Sequence, residues 1–237
     1  MGIRCYLAMT AAEIHNCEQL PENLGWMACH FSSYGTGLSN LPQTLPPGAV
    51  IILNDRTPIH GHDPQQIKQQ LSNLCQQLSP AGILLDLQRR ESTETNELVT
   101  ELTSGLPCPV GVSEAYAAYC ESPVFLSPCP VYIPLEEHLA PWNEREIWLD
   151  IAPQAQTVTI DEMGSTPKDV AWTELSDPVF TDEALCCRYH MEVLEDRVLF
   201  HLQRDQEKLL AMAEKLGVTC AVGLYQQLCS DIIKRPV

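Results

Sequence analysis

Basic residues are scarce in this 237-residue sequence, in which 14 lysines and arginines stand against 31 aspartates and glutamates, for a formal net charge of −17. A surface this acidic repels phosphate backbones, which argues against a nucleic-acid partner. No apolar run reaches the roughly 18 residues that a membrane-spanning helix needs. The first nine residues also lack the basic start and cleavage site of a signal peptide. We therefore expect a cytoplasmic protein with neither a nucleic-acid nor a membrane partner.

The short motifs of common cofactor and nucleophile sites are also missing. There is no G-x-G-x-x-G, no phosphate loop, no G-x-S-x-G, and no C-x-x-C pair among the eleven cysteines. Most of the cysteines, such as Cys5, Cys29, Cys75 and Cys220, fall in predicted strands or on apolar helix faces. A free thiol acts there as a small apolar side chain, so we predict reduced, structural cysteines and no cofactor.

Short apolar runs alternate with helical patterns in the first half of the sequence. The runs lie at 4–8, 26–31, 49–53, 82–87, 109–112 and 123–126. Because they are solidly apolar rather than alternating, they predict strands buried on both faces. Between them, Pro64–Leu78 has helical apolar spacing with Asp63 as a good N-cap, and a second helix is predicted at 94–104. This repetition indicates parallel strands joined by right-handed crossovers.

The segment 136–204 interrupts this order. Strands are predicted at 146–151 and 157–160, and a half-exposed antiparallel hairpin at 187–194 and 198–203. Residues 136–207 contain 17 acidic and 5 basic residues, so most of the negative charge lies here. A helix at 205–216 and a strand at 219–225 then restore the earlier pattern.

The predicted fold class is α/β, a TIM-type (β/α) barrel, possibly irregular, with an antiparallel β insertion before the last strand. Residues 1–135 and 205–237 form the barrel, and 136–204 form the acidic insertion. The eighth barrel strand is either 131–133 or part of the 146–160 strand pair. A flavodoxin-like open sheet is the competing architecture.

Chemistry in such barrels lies at the carboxyl ends of the strands. The polar and aromatic candidates for that end are Asp86, Glu114, Asp55, Gln88, Tyr34, Trp142 and Tyr225. The three carboxylates are the candidate catalytic residues, since they are predicted to follow nearby strands. Gln88 and the three aromatic residues are the candidate substrate-binding residues.

The fourth predicted strand carries the most specific pattern. Residues 81–88 read A-G-I-L-L-D-L-Q. This run resembles D-G-x-D-x-D-x-E, the signature of chitinase-like family 18 glycoside hydrolases, on the same strand of the same type of barrel. In this alignment Gly82 matches the glycine and Asp86 the last aspartate, which in that family supports the acid and the substrate acetamido group. Gln88 stands at the position of the catalytic glutamate, and Ala81 and Leu84 replace the two earlier aspartates.

The glutamine changes the chemistry that the resemblance implies. A general acid must carry a transferable proton, and an amide has none near neutral pH. The resemblance therefore implies a glycosidase-like barrel that binds a small molecule or an oligosaccharide, with Tyr34, Trp142 and Tyr225 available to stack on sugar rings. Such a protein is either non-catalytic or uses another carboxylate, in which case Asp55 and Glu114 are available to pair with Asp86.

Two other hypotheses remain open. The loop at 54–63 contains His60 and His62 near Asp55, residue types that suit a metal-assisted hydrolase. Asp63 is needed there as a helix cap and no third histidine has a suitable spacing, so we assign no metal site. The last hypothesis is a non-enzymatic interaction protein whose acidic insertion contacts a protein partner.

Overall fold

The computed structural model describes residues 2–33, 37–57, 59–161, 164–170, 180–191, 197–201 and 205–228. Its strands are β1 Arg4–Met9, β2 Leu24–Trp26, β3 His30–Phe31, β4 Leu38–Ser39, β5 Val50–Asn54, β6 Gly82–Asp86, β7 Val110–Ser113, β8 Val124–Leu126, β9 Ile147–Asp150, β10 Ala155–Asp161, β11 Gly164–Asp169, β12 Phe180–Asp182, β13 Cys187–Met191, β14 Arg197–Phe200 and β15 Cys220–Leu224. Its helices are α1 Ala11–Asn16, α2 Pro64–Leu78, α3 Thr93–Thr103, α4 Leu135–Leu139 and α5 Asp205–Lys215, with 3₁₀ helices at Glu114–Tyr119 and Ala140–Trp142. No helix in this described part of the chain is long and apolar enough to cross a membrane.

Eight parallel strands close into a barrel. Around the ring they follow the order β1, β2, β5, β6, β7, β8, β9 and β15, and β15 pairs with β1. The predicted TIM-type barrel is confirmed, and the closed ring excludes the open sheet. The barrel is irregular at its second strand, where the predicted single strand at 26–31 is instead the short strands β2 and β3. The additional strand β4 pairs with β3 in antiparallel orientation.

Strand β9 is the barrel strand that the sequence left open, and it lies within the 146–160 alternative rather than at 131–133. It pairs in parallel with β8 on one side and β15 on the other. Its residues Ile147, Trp148 and Leu149 are all buried, as expected for a strand covered on both faces. The expected pairing of 146–151 with 157–160 is therefore wrong, because β9 belongs to the barrel and β10 to a second sheet.

The second sheet lies between β9 and α5 in the chain. Its five strands are antiparallel and follow the order β11, β10, β14, β13 and β12, which confirms an antiparallel insertion before the last barrel strand. The segment 136–204 thus contains one barrel strand and most of helix α4 as well as this sheet.

Helix α2 begins and ends where local signals predict. The Asp63 carboxylate accepts a hydrogen bond from the Gln65 backbone N–H at 3.0 Å, and Pro64 occupies the first helical position. The helix ends at Ser79, whose φ of 47° is left-handed. Its apolar face packs with α3 against the outside of β5, β6 and β7.

Large side chains fill the barrel interior. Tyr6, Ile52 and Trp148 lie in this inner cluster, and Trp148 is only 1% exposed. Two glycines on neighbouring strands make room for its indole, since a Cβ on Gly111 would lie 2.7 Å from the ring and one on Gly82 3.1 Å from it. The interior is therefore a packed core rather than a pore.

Candidate functional site

Two neighbouring cavities that share lining residues lie where the barrel strands end. The outer cleft has a volume of about 650 Å³, and its lining includes His30, Asn54 and Arg56. The inner cavity has a volume of about 190 Å³ and includes Asp150 in its lining. Met27, Asp86 and Gln88 line both cavities, so they lie at the junction between the two. The outer volume lies within the range typical of small-molecule sites.

Asp86 and Gln88 form a hydrogen-bonded pair at this junction. Asp86 ends β6, and Gln88 Nε2 donates to Asp86 Oδ1 at 3.2 Å. The two side chains lie on the same side because residues two apart along an extended chain face the same way. Burial raises the pKa of Asp86, the Gln88 hydrogen bond lowers it, and the nearby charge of Asp55 raises it.

Asp55 holds the loop that carries Gln88. It is 5% exposed, and its Oδ2 accepts hydrogen bonds from the backbone N–H groups of Gln88 at 3.1 Å and Arg89 at 2.7 Å. Arg89 Nε in turn donates to the Asp55 backbone oxygen at 2.7 Å. This geometry gives Asp55 a positioning role for the loop after β6.

We expect Asp55→Ala to cost about 1–3 kcal/mol of folding free energy, because two backbone amides lose their acceptor in a partly buried loop. Asp55→Asn is the matched control, since its amide oxygen keeps one acceptor at nearly the same place. Urea unfolding followed by circular dichroism measures both variants. Equal losses for alanine and asparagine would contradict the positioning role.

Glu114 does not join Asp86 in either cavity. It lies in the 3₁₀ helix after β7 and accepts a hydrogen bond from Ser127 Oγ at 3.0 Å. The sequence-based expectation that it pairs with Asp86 rested on the order of the strands. The chain turns into the 3₁₀ helix directly after Ser113, and Glu114 is not among the residues that line the two cavities.

Neither of the two aromatic candidates that the structure describes, Trp142 and Tyr225, lines the two cavities. Trp142 packs against the outer core cluster formed by β8, β9, β15 and helices α4 and α5. Tyr225 packs on the same cluster and lines a separate shallow pocket with Glu13 and Cys17 beside α1. Tyr34 lies outside the described residues. Stacking of Trp142 or Tyr225 on a ligand in the two cavities therefore has no support in this geometry.

His60 and His62 have different partners. His60 is exposed and lies 2.9 Å from the Glu94 carboxylate through Nδ1, whereas Nδ1 of His62 accepts from the Gly37 N–H at 3.1 Å. The His62 ring also contacts Phe31. Across the described ranges, no three histidine, cysteine, aspartate or glutamate side chains are grouped as metal ligands. The residues present therefore do not fit the metal-assisted hydrolase.

Asp150 is the site residue that sequence analysis does not identify. It ends β9, lines the inner cavity with Asp86, and accepts a hydrogen bond from the Ala152 N–H at 2.8 Å. Burial raises its pKa to about 7, the Ala152 hydrogen bond lowers it, and the charge of Asp86 raises it further. The sequence does contain a pattern that points to Asp150. I-W-L-D at 147–150 is an apolar run ending in aspartate, like G-I-L-L-D at 82–86.

The pair of carboxyl groups gives the site its chemical capacity. Burial raises the pKa of both Asp86 and Asp150, and the charge of Asp86 adds to the effect on Asp150, so Asp150 holds a proton more readily than an isolated aspartate does. A site with one proton-holding carboxyl and one carboxylate accepts hydrogen bonds, donates one, and attracts a cation. Gln88 adds an amide donor and acceptor at the same junction.

No family model matches the sequence, and no curated protein matches it either. Solved structures do match. The spore cortex-lytic enzyme SleL of Bacillus cereus aligns over 96% of this chain and 72% of its own, at 9% identity and a TM-score of 0.55. A class V chitinase mutant of Cycas revoluta in complex with (GlcNAc)3 aligns over 97% of both chains, at 12% identity and a TM-score of 0.54. A mutant of the family 18 chitinase from the same plant, in complex with (GlcNAc)4, aligns over 97% of both chains, at 11% identity and a TM-score of 0.53.

These identities are too low to carry an activity across, but the alignments span nearly the whole of this chain. They agree with the resemblance of residues 81–88 to the chitinase signature. This chain therefore has the irregular TIM-barrel fold of the family 18 chitinases and the spore cortex-lytic enzymes.

Proposed function

We propose that this protein binds an oligosaccharide of N-acetylglucosamine type in the cleft at the carboxyl ends of the barrel strands, and that it does not hydrolyse it by the chitinase mechanism. The observation that carries the proposal is the Asp86–Gln88 hydrogen bond at the junction of the two cavities. It supports the alignment in which an amide replaces the catalytic carboxyl group. The fold likeness to chitinases solved with (GlcNAc)3 and (GlcNAc)4 supports the ligand class.

The amide removes one of two requirements for assisted cleavage. Asp86 is able to orient a sugar acetamido group through its carboxylate, but Gln88 has no proton for the leaving oxygen. General acid catalysis contributes about 10²–10⁴-fold to a rate, so its loss leaves hydrolysis near background. Binding does not require that proton, and the outer cleft of about 650 Å³ offers the space for it.

A second candidate is a hydrolase of altered chemistry, favoured by the raised pKa of Asp150, about 7. In that reaction the Asp150 carboxyl proton moves to the glycosidic oxygen as the C–O bond breaks. Water attacks the anomeric carbon and gives a proton to the Asp86 carboxylate. The two carboxyl groups would then share the acid and base roles of a glycosidase.

The test combines calorimetric binding of (GlcNAc)3 with hydrolysis of an activated N-acetylglucosamine oligomer. We expect saturable binding by the unmodified protein, binding roughly tenfold weaker in Asp86→Asn from the loss of one charged hydrogen-bond acceptor, and hydrolysis near background. Turnover that Asp150→Asn abolishes would support the second candidate instead. Ordinary turnover unaffected by Asp86→Asn, or no binding at all, would overturn the proposed role of this site.

Gln88→Glu tests the alignment itself, since an increase in turnover is expected only if residue 88 occupies the position of the acid.

A further inference from the structure

The two carboxyl groups of the inner cavity have no cationic partner among the described residues. Asp86 is hydrogen-bonded to the Gln88 amide, and Asp150 to the Ala152 backbone N–H. None of the ion pairs between described residues involves either aspartate. The outer cleft includes Arg56 and His30 in its lining, but neither lines the inner cavity.

The surroundings of the inner cavity make it costly to keep two ionised carboxylates there without a cation. Its wall is largely apolar and includes Leu84, Phe125 and Val222. Charges in such surroundings are normally paired, because few polar groups replace the water that they lose. The raised pKa values of Asp86 and Asp150 follow from this cost, since the site lowers its charge by taking up a proton. A cation between the two groups would balance the charge instead.

Resting on the oligosaccharide-binding function proposed above, we propose that the inner cavity takes the protonated amino group of a de-N-acetylated glucosamine unit, between Asp86 and Asp150. An ammonium group has three N–H donors and a charge opposite to both carboxylates. An acetamido group has a single N–H and no charge, so it leaves at least one carboxylate without a donor. The protein's net charge of −17 also draws cationic oligomers toward it.

The preference for an amino group is measured by comparing the Kd values of two oligomers of equal length, (GlcN)3 and (GlcNAc)3. Hydrogen bonds to charged partners contribute about 1.5–3 kcal/mol, which corresponds to a roughly ten- to hundredfold tighter Kd for (GlcN)3 than for (GlcNAc)3 at pH 7, close to the pKa of Asp150. Asp150→Asn removes the carboxyl group that would release its proton and pair with the ammonium, so it should weaken (GlcN)3 binding about tenfold while changing (GlcNAc)3 binding little.

The experiment is isothermal titration calorimetry of both oligomers against the full chain, Asp150→Asn, Asp86→Asn and Glu121→Gln. Glu121 is exposed and lines neither cavity, so Glu121→Gln removes an acidic group away from the site. Selective loss of (GlcN)3 binding in Asp150→Asn supports the proposal, and a larger loss of (GlcN)3 than of (GlcNAc)3 binding in Asp86→Asn supports the two-carboxylate site. Thermal unfolding confirms that each variant is folded.

Three results would overturn the inference. Equal or tighter binding of (GlcNAc)3 would reject the amino-group preference and leave the proposed oligosaccharide function standing. Equal weakening by Glu121→Gln and Asp150→Asn would show attraction by net charge alone. Failure of both oligomers to bind the unmodified protein would reject the inference together with the proposed function.

Discussion

Asp150→Asn is expected to stabilise the protein by up to about 4 kcal/mol at pH 8 and to change its stability by less than about 1 kcal/mol at pH 4. The reason is the pKa of Asp150, which is raised from 3.8 to about 7, mainly by burial. A difference of one in pKa between the folded and unfolded states corresponds to about 1.4 kcal/mol. The folded protein therefore holds the Asp150 proton over a pH range in which the unfolded chain releases it.

The direction with pH follows from this difference. Well below pH 3.8 the carboxyl group is neutral in both states and its favourable contribution is complete. Between pH 4 and about 7 the folded state binds more protons than the unfolded state, so stability falls as the pH rises. Above pH 7 the ionised carboxylate carries the full cost of burial, and the asparagine variant avoids it.

Urea unfolding of both proteins at pH 4, 6 and 8 measures this difference. Glu121→Gln is the control, since Glu121 is an exposed residue and its substitution should have the same small effect at each pH. The other titratable groups near the cavities, Asp86, Asp55 and His30, remain in all three proteins. A constant difference between Asp150→Asn and the unmodified protein across the pH series would show that Asp150 is not desolvated.

Trp148→Ala is expected to cost about 3–5 kcal/mol, the range for truncating a large aromatic side chain in a core. Trp148 is 1% exposed and lies among the inner cluster of the barrel. The barrel cannot contract into the space that the indole leaves, because backbone hydrogen bonds hold its strands in place. Gly82 and Gly111, which face the indole, have no side chains to fill that space. The Glu146 carboxylate also loses the hydrogen bond that its Oε1 accepts from the Trp148 indole N–H at 3.1 Å.

Trp142→Ala is the matched control, because Trp142 is half-buried and packs on the outer cluster. Denaturant unfolding should show a smaller loss for Trp142 than for Trp148, and (GlcNAc)3 binding should be unchanged by Trp142→Ala. Equal losses of stability would contradict the interior position of Trp148. Weaker ligand binding in Trp142→Ala would instead favour the stacking role expected from sequence.

Several features follow from the sequence alone because their causes are local. Asp63, Pro64 and the apolar spacing that follows predict helix α2, since its cap and contacts lie within one or two turns of the chain. Solidly apolar runs that alternate with helices predict the barrel, because parallel strands covered on both faces require that pattern. The replacement of a glutamate by Gln88 is also visible, since the chemical identity of a side chain does not depend on the fold.

The tertiary structure decided which residues meet at the ends of the strands. Assigning β9 to the barrel requires its pairing with β8 and with β15, which lies about 70 residues later, and no local pattern reports such a partner. For this reason the sequence does not single out Asp150, although its strand resembles the one that ends in Asp86. Asp55 accepts hydrogen bonds from two backbone amides, whereas Glu114, Trp142 and Tyr225 do not line the two cavities. The sequence does not show this difference, because the course of the chain after each strand depends on packing between distant segments. The sequence by itself thus determined the elements and the residue types of this protein, and only the closure of the ring determined which carboxyl groups line the same cavity inside it.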